Sequence, residues 1–240
     1  MDLKNIFRLT LLVASSLHAQ EYVEQRVTVG DSSFNFPVPS KYVAIDKKAD
    51  WAQAFFQKKE HVLADESKNN TFILAMQTPE NYAISKKNGQ VTGRFECWAL
   101  YPNFSAKSRM SLKQFATLVS QLEAAFAKLD KDANMLDSIG VKPEKIKDDE
   151  VRNRVAALTK PTIISKTERS LVTVSKNEAR YTLQAWLLVN EKFLFLYLNA
   201  DPDQLLPRIE EMNSWIKQID QKQQAASDLS PKSASPNLGR

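Results

Sequence analysis

The sequence predicts an α+β domain: an antiparallel sheet with helices packed on its faces. Three stretches carry that prediction. Residues 181–189 and 192–198 read as two strands joined across Asn190-Glu191. In the second of them Phe193, Phe195 and Tyr197 alternate with Leu194, Leu196 and Leu198, so both faces are apolar. Such a strand is central in its sheet and needs a packed layer on each side. Residues 112–129 place Leu112, Phe115, Leu118, Val119, Leu122, Phe126 and Leu129 three and four apart, the apolar stripe of a helix that covers a core. Near the other end, Val27 and Val29 alternate with polar residues. Gly30 to Ser33 turn the chain, and Phe34, Phe36 and Val38 alternate again, which is a hairpin pattern.

In chain order, the first segment reads as a signal rather than a fold element. Lys4 and Arg8 precede an apolar stretch from Leu9 to Ala14, then Ser15-Ser16-Leu17-His18-Ala19 and the charged Glu21. That order is the secretory one, with cleavage expected after Ala19, so residues 1–19 are a signal peptide. The apolar stretch falls well short of the roughly 20 residues a spanning helix needs. The longest later apolar run is Phe193 to Leu198, so no stable membrane insertion is expected once the signal is gone.

Residues 20–220 then form a single α+β domain. After the opening hairpin, Pro37 and Pro39 suit the edge and end of its second strand. Asp50 is placed to cap a short helix whose face is Trp51, Ala54 and Phe55. Strands are expected at 61–65 and 71–77, a polar, turn-rich connection from Pro79 to Gly89, and a strand around Cys97. Ser111 and Gln114 form a capping-box pattern before the 112–129 helix, with Met110 and Phe115 at staple spacing. Residues 130–166 are charged and broken by Gly140 and Pro143, and read as a polar excursion. Strand returns at 170–174, then the 181–198 hairpin. Asp201-Pro202-Asp203-Gln204 opens a last helix with a stripe of Leu205, Ile209, Met212, Ile216 and Ile219 and Trp215 beside it, which Pro207 is expected to divide. From 221 to 240 the chain is Gln, Ser, Ala, Lys and Pro with little apolar content, the composition of a disordered tail.

Charge and cysteine usage narrow the function classes. The net charge of +5 is spread in pairs along the chain, with no basic block of the kind that binds nucleic acid. Cys97 is the only cysteine, so no disulfide forms within the chain and the apolar core must hold the domain. Its setting, Phe95-Glu96-Cys97-Trp98-Ala99-Leu100-Tyr101, reads as a buried strand thiol. With the signal removed, His61 is the sole histidine, too few for a zinc site of the usual kind. No calcium loop, Gly-x-Ser-x-Gly elbow or phosphate-cradling glycine pattern occurs. Asp148-Asp149-Glu150 and Glu210-Glu211 read as solvated helix faces. A Cys97–His61 pair is the remaining nucleophilic arrangement, to be decided by their distance. The four tryptophans, Trp51, Trp98, Trp186 and Trp215, each sit among apolar neighbours and read as core. Asn69-Asn70-Thr71 and Asn103-Phe104-Ser105 match the glycosylation acceptor pattern. No catalytic, cofactor or metal residue is expected.

Three features together resemble the PsbP-like fold of extrinsic photosystem subunits and DcrB-type bacterial envelope proteins. They are the hairpin ending Phe34-Asn35-Phe36-Pro37-Val38-Pro39-Ser40-Lys41-Tyr42, the run Phe193-Leu194-Phe195-Leu196-Tyr197-Leu198, and the closing helix with Trp215-Ile216-Lys217-Gln218-Ile219. The resemblance spans roughly residues 25–220. It implies a mostly non-catalytic, accessory or chaperone-like role. The long 130–166 segment and the lack of a lipoprotein cysteine depart from the envelope examples. The function expected is therefore an exported, periplasmic or secreted accessory protein that binds a protein or peptide. A hydrolase, or a small-molecule or lipid carrier built on the Phe193-Phe195-Tyr197 face, are the alternatives.

Overall fold

A computed structural model describes residues 21–57, 70–92, 96–128, 161–177 and 180–228. The signal peptide, His61 with the expected 61–65 strand, Asn69, residues 130–160 and the end of the tail from 229 lie outside these. The expected α+β class is what the described residues form: a two-stranded and a seven-stranded antiparallel sheet with helices on them.

β1 (Tyr22–Val29) and β2 (Ser32–Pro39) make the opening hairpin. Its turn is tight because Gly30 adopts φ +61°, and the turn docks closely on the backbone at Ala106. A Cβ at position 30 would lie 1.9 Å from the Ala106 carbonyl oxygen. Pro37 faces Glu24 in this isolated pair and Pro39 ends it, positions where a missing N–H breaks no central ladder.

The large sheet runs β3-β4-β5-β9-β8-β7-β6. β3 is Val43–Ala44, β4 Asn70–Gln77 and β5 Cys97–Pro102. β6 is Thr162–Lys166, β7 Ser170–Asn177, β8 Arg180–Val189 and β9 Lys192–Ala200. β9 lies between β5 and β8, central as its two apolar faces require. Its turn has Asn190 at φ 48° and Glu191 at φ 61°, the double left-handed geometry that twists with the strands. Glu191 is fixed there from outside: its carbonyl accepts from the Met110 amide at 2.8 Å and its carboxylate from Arg109 at 3.1 Å.

Residues 50–57 form α1. Pro79–Lys87 is α2, Asn103–Lys107 α3 and Leu112–Lys128 α4. A 3₁₀ turn, Pro202–Gln204, leads into α5, Leu205–Asp228. The hairpin and α5 cover one face of the large sheet in a continuous core, with Trp215 fully buried and its indole N–H donated to the Pro37 carbonyl. On the other face α4 packs through Phe115 and Val119 onto Leu171, Leu188 and Phe193. α1 packs separately through Ala52 and Phe56 onto Phe72 and Ala75.

Five expectations are corrected. The α1 face is turned: Ala52 and Phe56 are buried and Ala54 is exposed, while the first-turn acid at 50 is already helical. The expected connection from Pro79 to Gly89 is instead α2, started by the Thr78 hydroxyl accepting from the Asn81 amide and by Pro79 in the first turn. The excursion of 130–166 ends early, since Thr162 to Lys166 is β6. Pro207 does not divide α5. It is the third residue of that helix, where an amide lacks an intrahelical acceptor in any case. The tail does not begin at 221, because α5 continues to Asp228. There the buried Gln223 accepts from the Asn190 amide at 3.1 Å and from Arg169 at 3.4 Å.

Candidate functional site

Cys97 is the natural starting point. Its side chain is fully buried beneath the α5 face, with its sulfur 3.8 Å from that of Met76. Burial first, and then the nearby Glu211 carboxylate, push the thiol well above its usual range. A thiol held in that state is not a nucleophile. Its distance from His61 falls outside the described residues.

Around it the fold assembles a charged group that no local motif announces. The Tyr42 hydroxyl donates to Glu211 Oε1 at 2.7 Å. Arg208 bridges two acids, reaching Glu211 Oε2 at 2.9 Å and Glu96 Oε2 at 3.0 Å, and also donates to the Tyr42 hydroxyl. Lys41 caps Glu211 from the solvent side at 2.8 Å. Glu211 is therefore buried, not on a solvated helix face as expected, whereas Glu210 beside it is exposed. Burial and the adjacent carboxylate hold the Tyr42 phenol far above its ordinary range, so it stays a donor. Each of these charges meets an opposite one across elements far apart in the chain, which pins the β2–β3 connection, β5 and α5 together.

The tryptophans divide. Trp215 is core, as expected. Trp51, Trp98 and Trp186 are only partly buried. Trp98 stacks on Tyr197 with centroids 5.0 Å apart and planes 10° from parallel, and Trp186 meets Phe195 edge-on at 5.0 Å. These rings cross the middle of the α4 face, between the α1 and α4 clusters. Of the acceptor patterns, Asn103 opens α3, but Ser105 is buried, its oxygen accepting from the Phe193 amide at 2.8 Å.

The open features lie at the far end of the sheet, around edge strand β6. Its pairing with β7 slips between Ile163 and Ser165, a bulge that changes which way successive side chains point. Ile163 packs with the α4 cluster and Ile164 with the α5 core. Ser165 also turns to α5, its hydroxyl donating to Asn213 Oδ1 at 2.8 Å. Lys166 returns to the α4 side, held by Glu123 at 2.8 Å.

Each face carries a cleft at this end. The one against α5 is about 470 Å³ and is lined by the hydroxyls of Ser165, Thr167 and Ser170, by apolar Ile216, and by Asn213, Lys217, Asp220, Gln221 and Gln224. Burial raises the Asp220 carboxyl above its usual range, Arg169 opposing. The one against α4 is about 350 Å³, with Leu112, Phe115 and Val119 beneath and Lys113, Lys166 and Glu168 at its rim. Sequence reading missed both clefts. The one signal of the α5 cleft is the polar outer side of the closing helix from Asn213 to Gln224.

Comparison of the chain with protein-family models, curated proteins and solved structures finds no match. No helix among the described residues is long and apolar enough to cross a membrane.

Proposed function

We propose that residues 1–19 direct export and are removed after Ala19, and that the remaining chain is a non-catalytic accessory protein of the periplasm or exterior that binds another protein or peptide. The observation that carries this reading is the contrast in how the fold uses its polar groups. Around Cys97 they are spent on one another. At the β6 end they pair as well, Ser165 with Asn213 and Thr167 with Ser170, but there they border open clefts whose apolar floors and few polar groups suit the side chains of a polypeptide. The PsbP-like resemblance supports the same role, because that fold mostly serves accessory proteins; fold alone does not fix function.

Two measurements test the reading. The chain recovered from its own envelope should begin at Gln20; a chain still beginning at Met1 in the cytosol removes the proposed location. A photo-crosslinking residue at Gln221 should join the chain to one discrete polypeptide, and the same residue at Glu80 on α2 should not. Equal background at both positions, or hydrolytic turnover by the purified chain, overturns the binding role.

A further inference from the structure

We infer that the β6 edge is where the partner enters, as an extended segment that adds an eighth strand to the sheet and sends alternate side chains into the two clefts. This rests on the binding role above and specifies its geometry.

β6 is the last strand of the large sheet among the described residues, so its outer backbone groups have no strand partner there. An added strand on such an edge gains main-chain hydrogen bonds, and pockets for its alternating side chains supply selectivity. Here a cleft stands on each face of the same edge, and consecutive residues of β6 border different ones: Ser165 the α5 cleft, Lys166 the α4 cleft. An incoming strand has the same period of two. Its residues would therefore fall alternately toward α5 and α4.

The linings state what those residues should be. Toward α5, Ile216 lies among hydroxyls, amides, Lys217 and Asp220, which suits a side chain with an apolar body and a polar tip. Toward α4 the floor of Phe115 and Val119 suits an apolar one. The Lys113 ammonium, exposed at that rim, has no ion-pair partner among the described residues, while Lys166 is engaged by Glu123. Lys113 thus favours an acidic residue near the apolar one. The bulge at Ile164 interrupts the edge and opposes strand addition there, so main-chain pairing alone does not hold a segment on β6. A segment that fills both clefts is rewarded and a generic strand is not.

The probe is a displayed library of random dodecapeptides selected on the purified chain, with the strongest binder then synthesised. It should place an apolar residue next to one with an apolar body and a polar tip and carry an acid, and on binding it should slow amide hydrogen exchange in residues 162–166. Ala116→Trp and Gln221→Trp fill one cleft each from exposed helix positions, and each should weaken the peptide about ten-fold. Lys113→Glu should weaken it as well, and exchanging the peptide's acid for lysine should restore affinity to that variant. Exchange protection elsewhere, or affinity untouched by all three variants, overturns strand addition while leaving the binding role standing. A library that yields no binder, or β6 already protected by self-association, overturns strand addition too. The Gln221 crosslink decides the binding role separately.

Discussion

The two ends of α5 present the same kinds of side chain and use them in opposite ways. At the N-terminal end Arg208 and Glu211 are drawn inward against Tyr42, Glu96 and Lys41, and the polar groups satisfy one another. Toward the C-terminal end Asp220, Gln221 and Gln224 border a cleft. Between them Trp215 and Ile216 anchor the helix in the core. The difference separates two purposes for polarity. A closed set of charges fixes where a helix sits, whereas polar groups that border a cleft, even when paired as Ser165 is with Asn213, stand where another molecule reaches them.

Substitutions along α5 should therefore grade from structural to silent. Trp215→Ala removes the largest buried side chain of the helix and the bond to Pro37. It should cost about 3–5 kcal/mol in denaturant unfolding; a loss under half of that breaks the view that this residue joins the two ends. Glu211→Ala takes the acceptor from the Tyr42 hydroxyl and leaves Arg208 with Glu96 as its one acidic partner, and a loss of about 2–3 kcal/mol is expected by the same measurement. At the open end, Gln224→Ala should stay within about 0.5 kcal/mol of the parent.

The smallest effect is a pH effect. Burial favours the neutral form of Asp220, so the folded chain holds that proton more tightly than the unfolded chain does. The stability this carboxyl contributes is complete below the ordinary carboxylate range and is lost as pH rises through the raised value. Asp220→Asn should match the parent at low pH and be slightly more stable at neutral pH, read from melting temperatures across the range. A variant less stable at neutral pH would mean that the charged carboxylate is needed in place.

The elements that sequence made legible are those whose pattern is local. The period of two in 193–198 and the three-four spacing of 112–129 each name their own structure, and both stand as expected, the helix as far as Lys128, with Leu129 outside the described residues. α2 was missed for an instructive reason. Only Ser85 is buried along it, so it has no apolar stripe, although Thr78-Pro79 and Lys86-Lys87 are sound start and stop signals. The α1 face was misjudged because a short apolar run, Trp51 to Phe56, allows more than one helical face. Glu211 could not be placed from its neighbours, since its partners Lys41 and Tyr42 lie some 170 positions away. The clefts were hidden for a related reason: each is walled by the 165–170 stretch and by a helix from a different part of the chain.

The central claim is that one end of α5 builds the protein and the other end serves its partner. It is tested most directly by measuring melting temperature and peptide affinity on the same pair of variants, Glu211→Ala and Gln221→Trp. The account predicts that the first lowers the melting temperature and leaves affinity near the parent value, while the second leaves melting unchanged and weakens binding. Affinity lost at Glu211 with the fold intact, and kept at Gln221, would contradict it.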